Sequence, residues 1–176
     1  MAGFAELGAR SNFSFLDGAS HPEELAQTAQ ALGLAGLGIC DLNSLAGVVR
    51  GHVAAKAAGL PFRVGCRLLL DDGSEWLAWP GSRAAYGRLT ALLSRGRMLA
   101  PKGECRISRA AMLAAAEGWV LAAIPPERAD AAWAARLRRD AAALRDRLAL
   151  PLLLAASCTF RGADRHRLDT LPASQG

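Results

Sequence analysis

The chain has 176 residues, of which 52% are hydrophobic and 21% are charged, and its formal net charge is +5. This composition is typical of one globular domain with a buried core, and it excludes a disordered chain. No apolar run approaches the ~20 residues that span a bilayer. The first residues, MAGFAELGARSNF, lack the charged start and the long apolar block of a secretion signal. We therefore expect a cytoplasmic protein with no membrane partner.

The first strong helix signal is SHPEELAQTAQALGLAG, residues 20–36. Ser20 is placed to cap this helix, Pro22 suits its first turn, and Glu23 completes a capping box. Gly33 is a typical helix end. A short buried strand is predicted for LAGLGIC, residues 34–40, and a second helix for residues 43–60.

Further along the chain, strand and helix patterns alternate. A hairpin is predicted where DDG turns the strand FRVGCRLLL into EWLAWP. The remaining predictions are helices at about 82–94, 108–117 and 127–148, and strands at 119–124 and 150–156. Strands that alternate with helices imply a mostly parallel sheet or barrel covered by helices, which is the α/β class.

The four cysteines are Cys40, Cys66, Cys105 and Cys158. They are far apart and form no CxxC pair, so we expect buried thiols rather than disulfides or zinc ligands.

A basic block lies between Ser82 and Gly103, where the chain has no acidic residue. Its members are Arg83, Arg88, Arg95, Arg97 and Lys102. Such a block suits contact with phosphates or nucleic acid. The alternative is a solvated helix face, because all but two of the 21 basic residues are arginines and the arginine excess is general.

Three segments are expected to meet at one rim of the sheet, because chemistry in parallel α/β folds gathers where strands end. Asp41 ends a strand, Arg67 lies near the end of the next, and Gly8 to Arg10 precede the loop SNFSFLDGAS, residues 11–20. A metal site at this rim would need His, Asp or Glu at several of these places.

Residues 5–70, from AELGARSNFSFLDGASHPEEL to VGCRLLL, resemble the opening of the PHP (polymerase and histidinol phosphatase) domain of bacterial error-prone DNA polymerases of the DnaE type. The likeness continues through RAAYGRLTALLSRGRMLAPKGECRIS, AEGWVLAAIPP and LLLAASCTFRGADRHRLD, so residues 1–176 read as a single PHP-like domain. The resemblance implies a distorted (β/α)7 barrel. We expect it to be incomplete at the C-terminus, because the chain stops before the family's last Asp-x-His metal motif.

In active PHP enzymes, His, Asp and Glu side chains at the rim bind up to three metal ions and hydrolyse phosphate esters. By this resemblance the family's His-x-His motif falls on Gly8 and Arg10, its Asp-His motif on Asp41 and Leu42, and its Glu on Arg67. Only Asp41 keeps a metal-binding side chain. Glycine and leucine donate no lone pair and arginine repels cations, so we expect no cofactor and no catalytic residue.

We therefore expect a structural role for Asp41, either as a partner for Arg10 or Arg67 or as a cap for the helix that starts near Asn43. An alternative is that Arg10 and Arg67 bind an anion such as phosphate in place of metals. The histidines, His21, His52 and His166, have no partner ligand at helical spacing and are expected to be solvated or partly buried.

The resemblance implies a degenerate, non-catalytic part of a DNA-directed DNA polymerase, a nucleotidyltransferase used in translesion synthesis and DNA repair. The polymerase palm does not lie in these residues, so the chain is expected to be inactive alone. Expected partners are the polymerase domain of the same or a neighbouring chain and replication or mutasome proteins, with DNA contacted indirectly. The alternative is a stand-alone PHP phosphoesterase that uses divalent metal ions. An incomplete barrel exposes strand edges, so we also expect marginal stability or self-association.

Overall fold

Six strands and five helices make up the part of the chain that the computed structural model describes, residues 3–156, 162 and 164. The strands are β1 (Ala5–Ala9), β2 (Gly36–Leu42), β3 (Phe62–Leu69), β4 (Glu75–Pro80), β5 (Trp119–Ile124) and β6 (Leu153–Leu154). The helices are α1 (Pro22–Ala31), α2 (Val48–Ala57), α3 (Arg83–Met98), α4 (Arg109–Ala115) and α5 (Ala131–Leu144).

The strands form one sheet in chain order, β1 to β6. β1, β2 and β3 pair in parallel, β4 pairs antiparallel with both β3 and β5, and β6 pairs in parallel with β5. Every strand except β4 therefore runs in one direction, and their carboxyl ends share one rim. The hairpin predicted around DDG is confirmed as β3 and β4.

The sheet curls, as a contact between β4 and β1 shows. The indole Nε1 of Trp79 donates a hydrogen bond of 2.9 Å to the carbonyl oxygen of Leu7, although two strands separate β1 from β4 in the sheet. Gly65 on β3 leaves room for this, since a Cβ there would lie 2.8 Å from the Trp79 ring and 2.3 Å from Cys40 Sγ. The result is an α/β fold with a curled, half-barrel sheet, which confirms the predicted fold class.

Two hydrophobic clusters lie against this sheet. The larger contains Trp119, Leu89 and Met112, which are fully buried where α3 and α4 cover β3, β4 and β5. Trp119 satisfies its indole N–H by donating to the carbonyl oxygen of Ala85 at 2.9 Å. The smaller cluster packs α1 and α2 against β2 around Ile39.

The local predictions need four corrections. β1 was not predicted, because AELGA is short and contains a glycine. The α1 capping box is formed by the backbone N–H of His21 and the carboxylate of Glu24 at 2.7 Å, not by Ser20 and Glu23. α2 begins at Val48, because the chain first turns at Asn43 with a φ of 44°. The last predicted strand, residues 150–156, is reduced to Leu153–Leu154.

The cysteine and histidine predictions hold for the described residues. Cys40 and Cys66 are buried free thiols, and Cys105 is half-buried and also free. Burial raises the pKa of Cys66 to about 12 and also raises the pKa of Cys40, so both stay neutral. His21 and His52 are exposed. Cys158 and His166 lie outside the described residues. Across those described, no helix combines the length and apolar character needed to cross a membrane.

Candidate functional site

Asp41 is the acid at the end of β2, and it is buried with 1% of its surface exposed. Its Oδ1 accepts hydrogen bonds from the Ser11 backbone N–H at 2.8 Å and from the Ser14 hydroxyl at 2.7 Å. Its Oδ2 accepts one from the Ser11 hydroxyl at 2.7 Å. The Ser14 oxygen also accepts the backbone N–H of Leu42 at 3.0 Å. Asp41 thus fastens the loop after β1 to the end of β2.

The roles predicted for Asp41 were wrong in detail. It does not pair with Arg10 or Arg67, because the loop after β1 crosses directly over it and brings the serines closer. It is not the cap of α2, whose N-cap is Gly47 and lacks a side-chain hydrogen bond. A Cβ on Gly47 would lie 2.8 Å from Asp41 Oδ2, so the start of α2 covers the carboxylate and keeps it from solvent.

The two arginines at the rim have their own carboxylates. Asp17 Oδ1 forms an ion pair with Arg10 Nη1, and Asp17 Oδ2 lies 3.5 Å from Arg67 Nη1. Arg67 also forms an ion pair with Glu75 across the β3–β4 hairpin, and its side chain is only 14% exposed. The positive charges of Arg10 and Arg67 are therefore balanced by carboxylates at the rim.

Gly8 and Leu42 are the other two positions that the resemblance assigns to metal ligands. Gly8 lies in β1, and its N–H donates to the carboxylate of Glu6 at 2.7 Å. Leu42 is half-buried at the end of β2 and lies beside Arg67 in the register of β2 and β3. The structure thus brings Arg10, Asp41, Leu42 and Arg67 to one rim, with Gly8 two residues before Arg10.

The side chains at this rim do not fit the metal ions that the family binds. Among the five positions that the resemblance assigns to metal ligands, Asp41 has the only carboxylate, and both its oxygens already accept hydrogen bonds. A metal ion there would have to displace the serine donors and would meet Arg10 and Arg67 nearby. In the described part of the chain, no three His, Cys, Asp or Glu side chains are grouped to hold a metal ion.

The basic block between residues 83 and 102 does not form a single patch. α3 has 16 residues and is about 24 Å long, so Arg83 and Arg97 lie at opposite ends. Arg88 donates to the Glu117 carbonyl oxygen at 3.1 Å through Nε, which ties α3 to the loop before β5. Arg95 is exposed in the last turn.

Arg97 and Lys102 share a cleft beside Leu42. Arg97 Nη2 donates to the carbonyl oxygen of Asn43 at 2.9 Å, which holds the guanidinium at the end of β2. The cleft has a volume of about 450 Å³ and is also lined by residues 101–105, which include Glu104. This volume is in the range of small-ligand sites.

Ser11, Ser14 and Asp17 received no role from the sequence. All three lie in SNFSFLDGAS, which the sequence identified as a loop after Arg10 and as part of the family likeness, without a role for any of its residues. The signal that was available is the spacing of the two serines, which puts two hydroxyl donors in one tight turn beside a strand that ends in a lone acid.

Comparison with known proteins identifies the family. Residues 6–147 match the PHP domain. The chain is 47% identical to an error-prone DNA polymerase from Caulobacter vibrioides, across 96% of this chain and 15% of the relative. It is 45% identical to an error-prone DNA polymerase from Brucella abortus, across 81% of this chain and 14% of the relative. The chain therefore spans about one seventh of the length of these relatives.

The fold itself recurs in a solved structure. A Bifidobacterium adolescentis protein, provisionally described as a metal-dependent phosphoesterase, superposes with a TM-score of 0.62 at 16% identity. The match covers 80% of this chain and 75% of that one, and at this identity it shows the fold alone. The match to residues 6–147 covers most of the sequence, and the identities to polymerases reach nearly its full length. The chain therefore belongs to the PHP domain family and is homologous to error-prone DNA polymerases.

Proposed function

We propose that this chain is the non-catalytic PHP part of an error-prone DNA polymerase and supports the polymerase portion during translesion synthesis and DNA repair. The observation that carries the proposal is the rim, where serines hold Asp41 and two carboxylates hold Arg10 and Arg67. Both carboxylate oxygens of Asp41 accept hydrogen bonds, and the guanidinium groups of Arg10 and Arg67 form ion pairs with Asp17 and Glu75, although Arg67 Nη1 is buried without a hydrogen-bond partner among the described residues. The rim is thus built as a structural joint.

The relatives support the choice of partner. They are error-prone DNA polymerases, and this chain spans about 15% of their length. The rest of such a polymerase would therefore lie next to this domain and could contact it. The proposed partners are a polymerase portion in the same or a neighbouring chain and replication or mutasome proteins, with DNA contacted indirectly. A single domain over residues 1–176 and a cytoplasmic location stay predictions.

Metal analysis with a phosphatase assay separates this proposal from a stand-alone phosphoesterase. The metal content of the purified chain is measured after dialysis against a chelator. The chain is then exposed to zinc, manganese or iron and assayed with p-nitrophenyl phosphate. We expect substoichiometric metal and no hydrolysis. The matched control is G8H/R10H/L42H/R67E, which puts the family's ligand types back at the rim and is expected to take up metal. Stoichiometric metal in the unmodified chain that survives the chelator would overturn the proposal.

The supporting role needs its own measurement. The polymerase portion of the Caulobacter vibrioides relative, expressed without the segment that matches this chain, is heated with and without added chain. A non-catalytic support is expected to raise the melting temperature of the polymerase portion, because a ligand that binds the folded state stabilises it by mass action. No shift at saturating concentration would contradict the role.

As an alternative to indirect contact with DNA, we further propose a direct phosphate contact at the cleft that Arg97 and Lys102 line. The observation that favours it is the guanidinium of Arg97, which is held by the Asn43 carbonyl oxygen and lines a cleft of about 450 Å³ together with Lys102 and one carboxylate, that of Glu104. The test is the binding of a single-stranded oligonucleotide at several salt concentrations. R97E/K102E should weaken binding and flatten its salt dependence, since phosphate contacts release counterions. The matched control is K56E/R83E, which makes the same −4 change in charge at two exposed residues that do not line the cleft. An equal loss of binding in this control would mean that net charge alone explains the effect.

A further inference from the structure

Two large apolar side chains point into solvent beside the candidate site. Phe15 is 85% exposed and Leu16 is 92% exposed, and both lie in the loop between β1 and α1. We call residues 11–18 the rim loop. An exposed leucine by itself is ordinary, but two adjacent apolar residues at the tip of one loop form a small patch that water solvates poorly.

The rim loop is held rigidly from within. The backbone N–H groups of Ser14, Asp17 and Gly18 each donate at 2.9 Å, the first to the Ser11 carbonyl and the other two to the Ser14 carbonyl. A Cβ on Gly18 would lie 2.2 Å from the Ser11 carbonyl oxygen, so the loop crosses closely over its own start. With Asp41 bound to both serines, the base of the loop has little freedom.

The backbone at the tip is strained as well as fixed. Leu16 has a φ of 64°, in the left-handed region that residues other than glycine, asparagine and aspartate seldom adopt. On either side, Ser14 is bound to Asp41, and Asp17 contacts Arg10 and Arg67. Such strain persists only where the surroundings impose it, and it concentrates at functional sites. The anchors thus hold Phe15 and Leu16 outward.

We propose that Phe15 and Leu16 form a preformed docking knob for the polymerase portion of an error-prone DNA polymerase, and that Asp41 positions this knob. The inference rests on the proposed function, and it adds the surface that makes the contact. A loop already fixed in its bound conformation loses little entropy on binding, which favours a stable contact from a small patch.

The occupant follows from the relatives and from the charges of the rim. The chain spans about 15% of the Caulobacter vibrioides relative, so a much larger polypeptide is available next to this domain. The ion pairs of Arg10 and Arg67 with Asp17 and Glu75 balance the charges behind the knob. The contact offered is therefore apolar, and the partner surface should be an apolar pocket rather than an acidic groove.

The test is a binding titration of the 176-residue chain on the immobilised polymerase portion of the Caulobacter vibrioides relative, expressed without the matching segment. F15S/L16S should weaken binding by about tenfold or more, as expected for aromatic and apolar anchors at the centre of a contact. V49S/V53S is the matched control, because these α2 residues are 69% and 61% exposed and also apolar. Ser14→Ala keeps the knob but loosens its anchor, and should weaken binding by less than F15S/L16S. Melting curves establish that each variant is folded at the assay temperature.

The outcomes separate this inference from the proposed function. If the unmodified chain binds and F15S/L16S binds equally well, the knob is wrong and the supporting role stands. If the unmodified chain does not bind at all, the supporting role fails and the knob with it. Equal loss in V49S/V53S would mean unspecific apolar adhesion and would overturn the inference. Self-association of the chain is measured by sedimentation. If F15S/L16S loses self-association but binds the polymerase portion as before, the inference is also overturned, because the knob would then contact a second copy of the chain.

Discussion

At the scale of single residues, Asp41 is a buried carboxylate whose hydrogen-bond partners are serines. The family likeness places a metal ligand at this position, yet here the oxygens accept three hydrogen bonds from Ser11 and Ser14. Hydrogen bonds to a charged group contribute roughly 1.5–3 kcal/mol each, and a buried carboxylate without them would be costly. The serines therefore stabilise a charge that would otherwise need a cation.

Asp41→Asn is expected to lower the free energy of unfolding by about 2–3 kcal/mol, because the amide NH2 would face a serine donor instead of accepting from it. Urea unfolding measures the change. Asp71→Asn, at an exposed carboxylate, is the control and should stay within about 0.5 kcal/mol. Unchanged stability of Asp41→Asn would mean that the serines do not stabilise the charge.

At the scale of elements, the curl of the sheet depends on the space that Gly65 leaves on β3. Cys40 from β2 and Trp79 from β4 both fill that space, and the Trp79 indole then reaches the Leu7 carbonyl of β1. The glycine is needed because the neighbouring side chains approach closer than any Cβ allows. One small residue thus permits contact between strands that are not neighbours in the sheet.

Gly65→Ala is expected to destabilise the chain by about 1–3 kcal/mol, as overpacking of a filled interior does. Gly87→Ala is the matched control, since Gly87 lies in α3 with nothing within 4 Å of its Cβ position. There alanine should stabilise by roughly 0.5–1 kcal/mol through helix propensity. Thermal melting of both variants tests the pair, and equal effects of the same sign would contradict the packing argument.

Arg109 at the start of α4 joins three elements. Its guanidinium binds Asp72 in the β3–β4 turn and Asp140 in α5, donates to Ser74 at 2.9 Å, and lies 5.7 Å from the centre of the Trp76 ring. Asp140 is 5% exposed, so its charge depends on this partner. The ion pairs thus hold α5 to the hairpin.

Arg109→Ala is expected to cost about 3 kcal/mol, because it leaves the Asp140 carboxylate buried without its cation. Arg106→Ala, at an exposed arginine three residues earlier, should change stability by less than about 0.5 kcal/mol. Guanidinium chloride unfolding distinguishes the two. A small effect of Arg109→Ala would show that α5 is held by its apolar face alone.

The same cluster predicts acid sensitivity. Partial burial by itself would raise the pKa of Asp72, but hydrogen bonds from Ser74 and the charge of Arg109 lower it to about 2 from 3.8. A lowered folded-state pKa stabilises the fold above the unfolded-state value, so this contribution is full above about pH 4 and is lost as pH falls towards 2. The gap in melting temperature between the unmodified chain and Asp72→Asn should therefore shrink over this range. A gap that does not change with pH would contradict the assignment.

At the scale of the whole molecule, the described sheet is a half-barrel with β1 and β6 at its two ends. Leu7 on β1 is 41% exposed, and Phe4 just before it is 68% exposed. Unpaired strand edges with apolar side chains favour association with another chain. In the proposed polymerase, a neighbouring part of the protein would cover them.

The isolated chain is therefore expected to self-associate or to melt at low temperature. Sedimentation velocity over a range of concentrations measures the first, and Leu7→Lys should shift the population towards monomer, because edge lysines oppose strand pairing. Val53→Lys, on the exposed face of α2, is the control for added charge. A monodisperse monomer with cooperative melting at high temperature would contradict the expectation.

The sequence by itself determined the α/β class, most helices and strands, the hairpin around DDG and the family. These features depend on local periodicity, turn residues and motifs, which can be recognised within short segments of the sequence. It missed β1, where AELGA is too short to show an alternating pattern. The sequence also predicted the start of α2 near Asn43 instead of Val48. Nothing in the local sequence shows that the chain turns at Asn43, whose side-chain oxygen accepts a hydrogen bond from the Leu69 N–H in β3.

Only the tertiary structure decided which groups meet at the rim. Asp41 binds serines about 30 positions earlier rather than the arginines, and Asp17 rather than Asp41 contacts both Arg10 and Arg67. The sequence contained all of these residues, but it could not rank partners separated by loops whose path was unknown. A charge takes the nearest donors that the folded backbone brings within 3 Å, and that distance is set by strand register and loop crossing rather than by residue type.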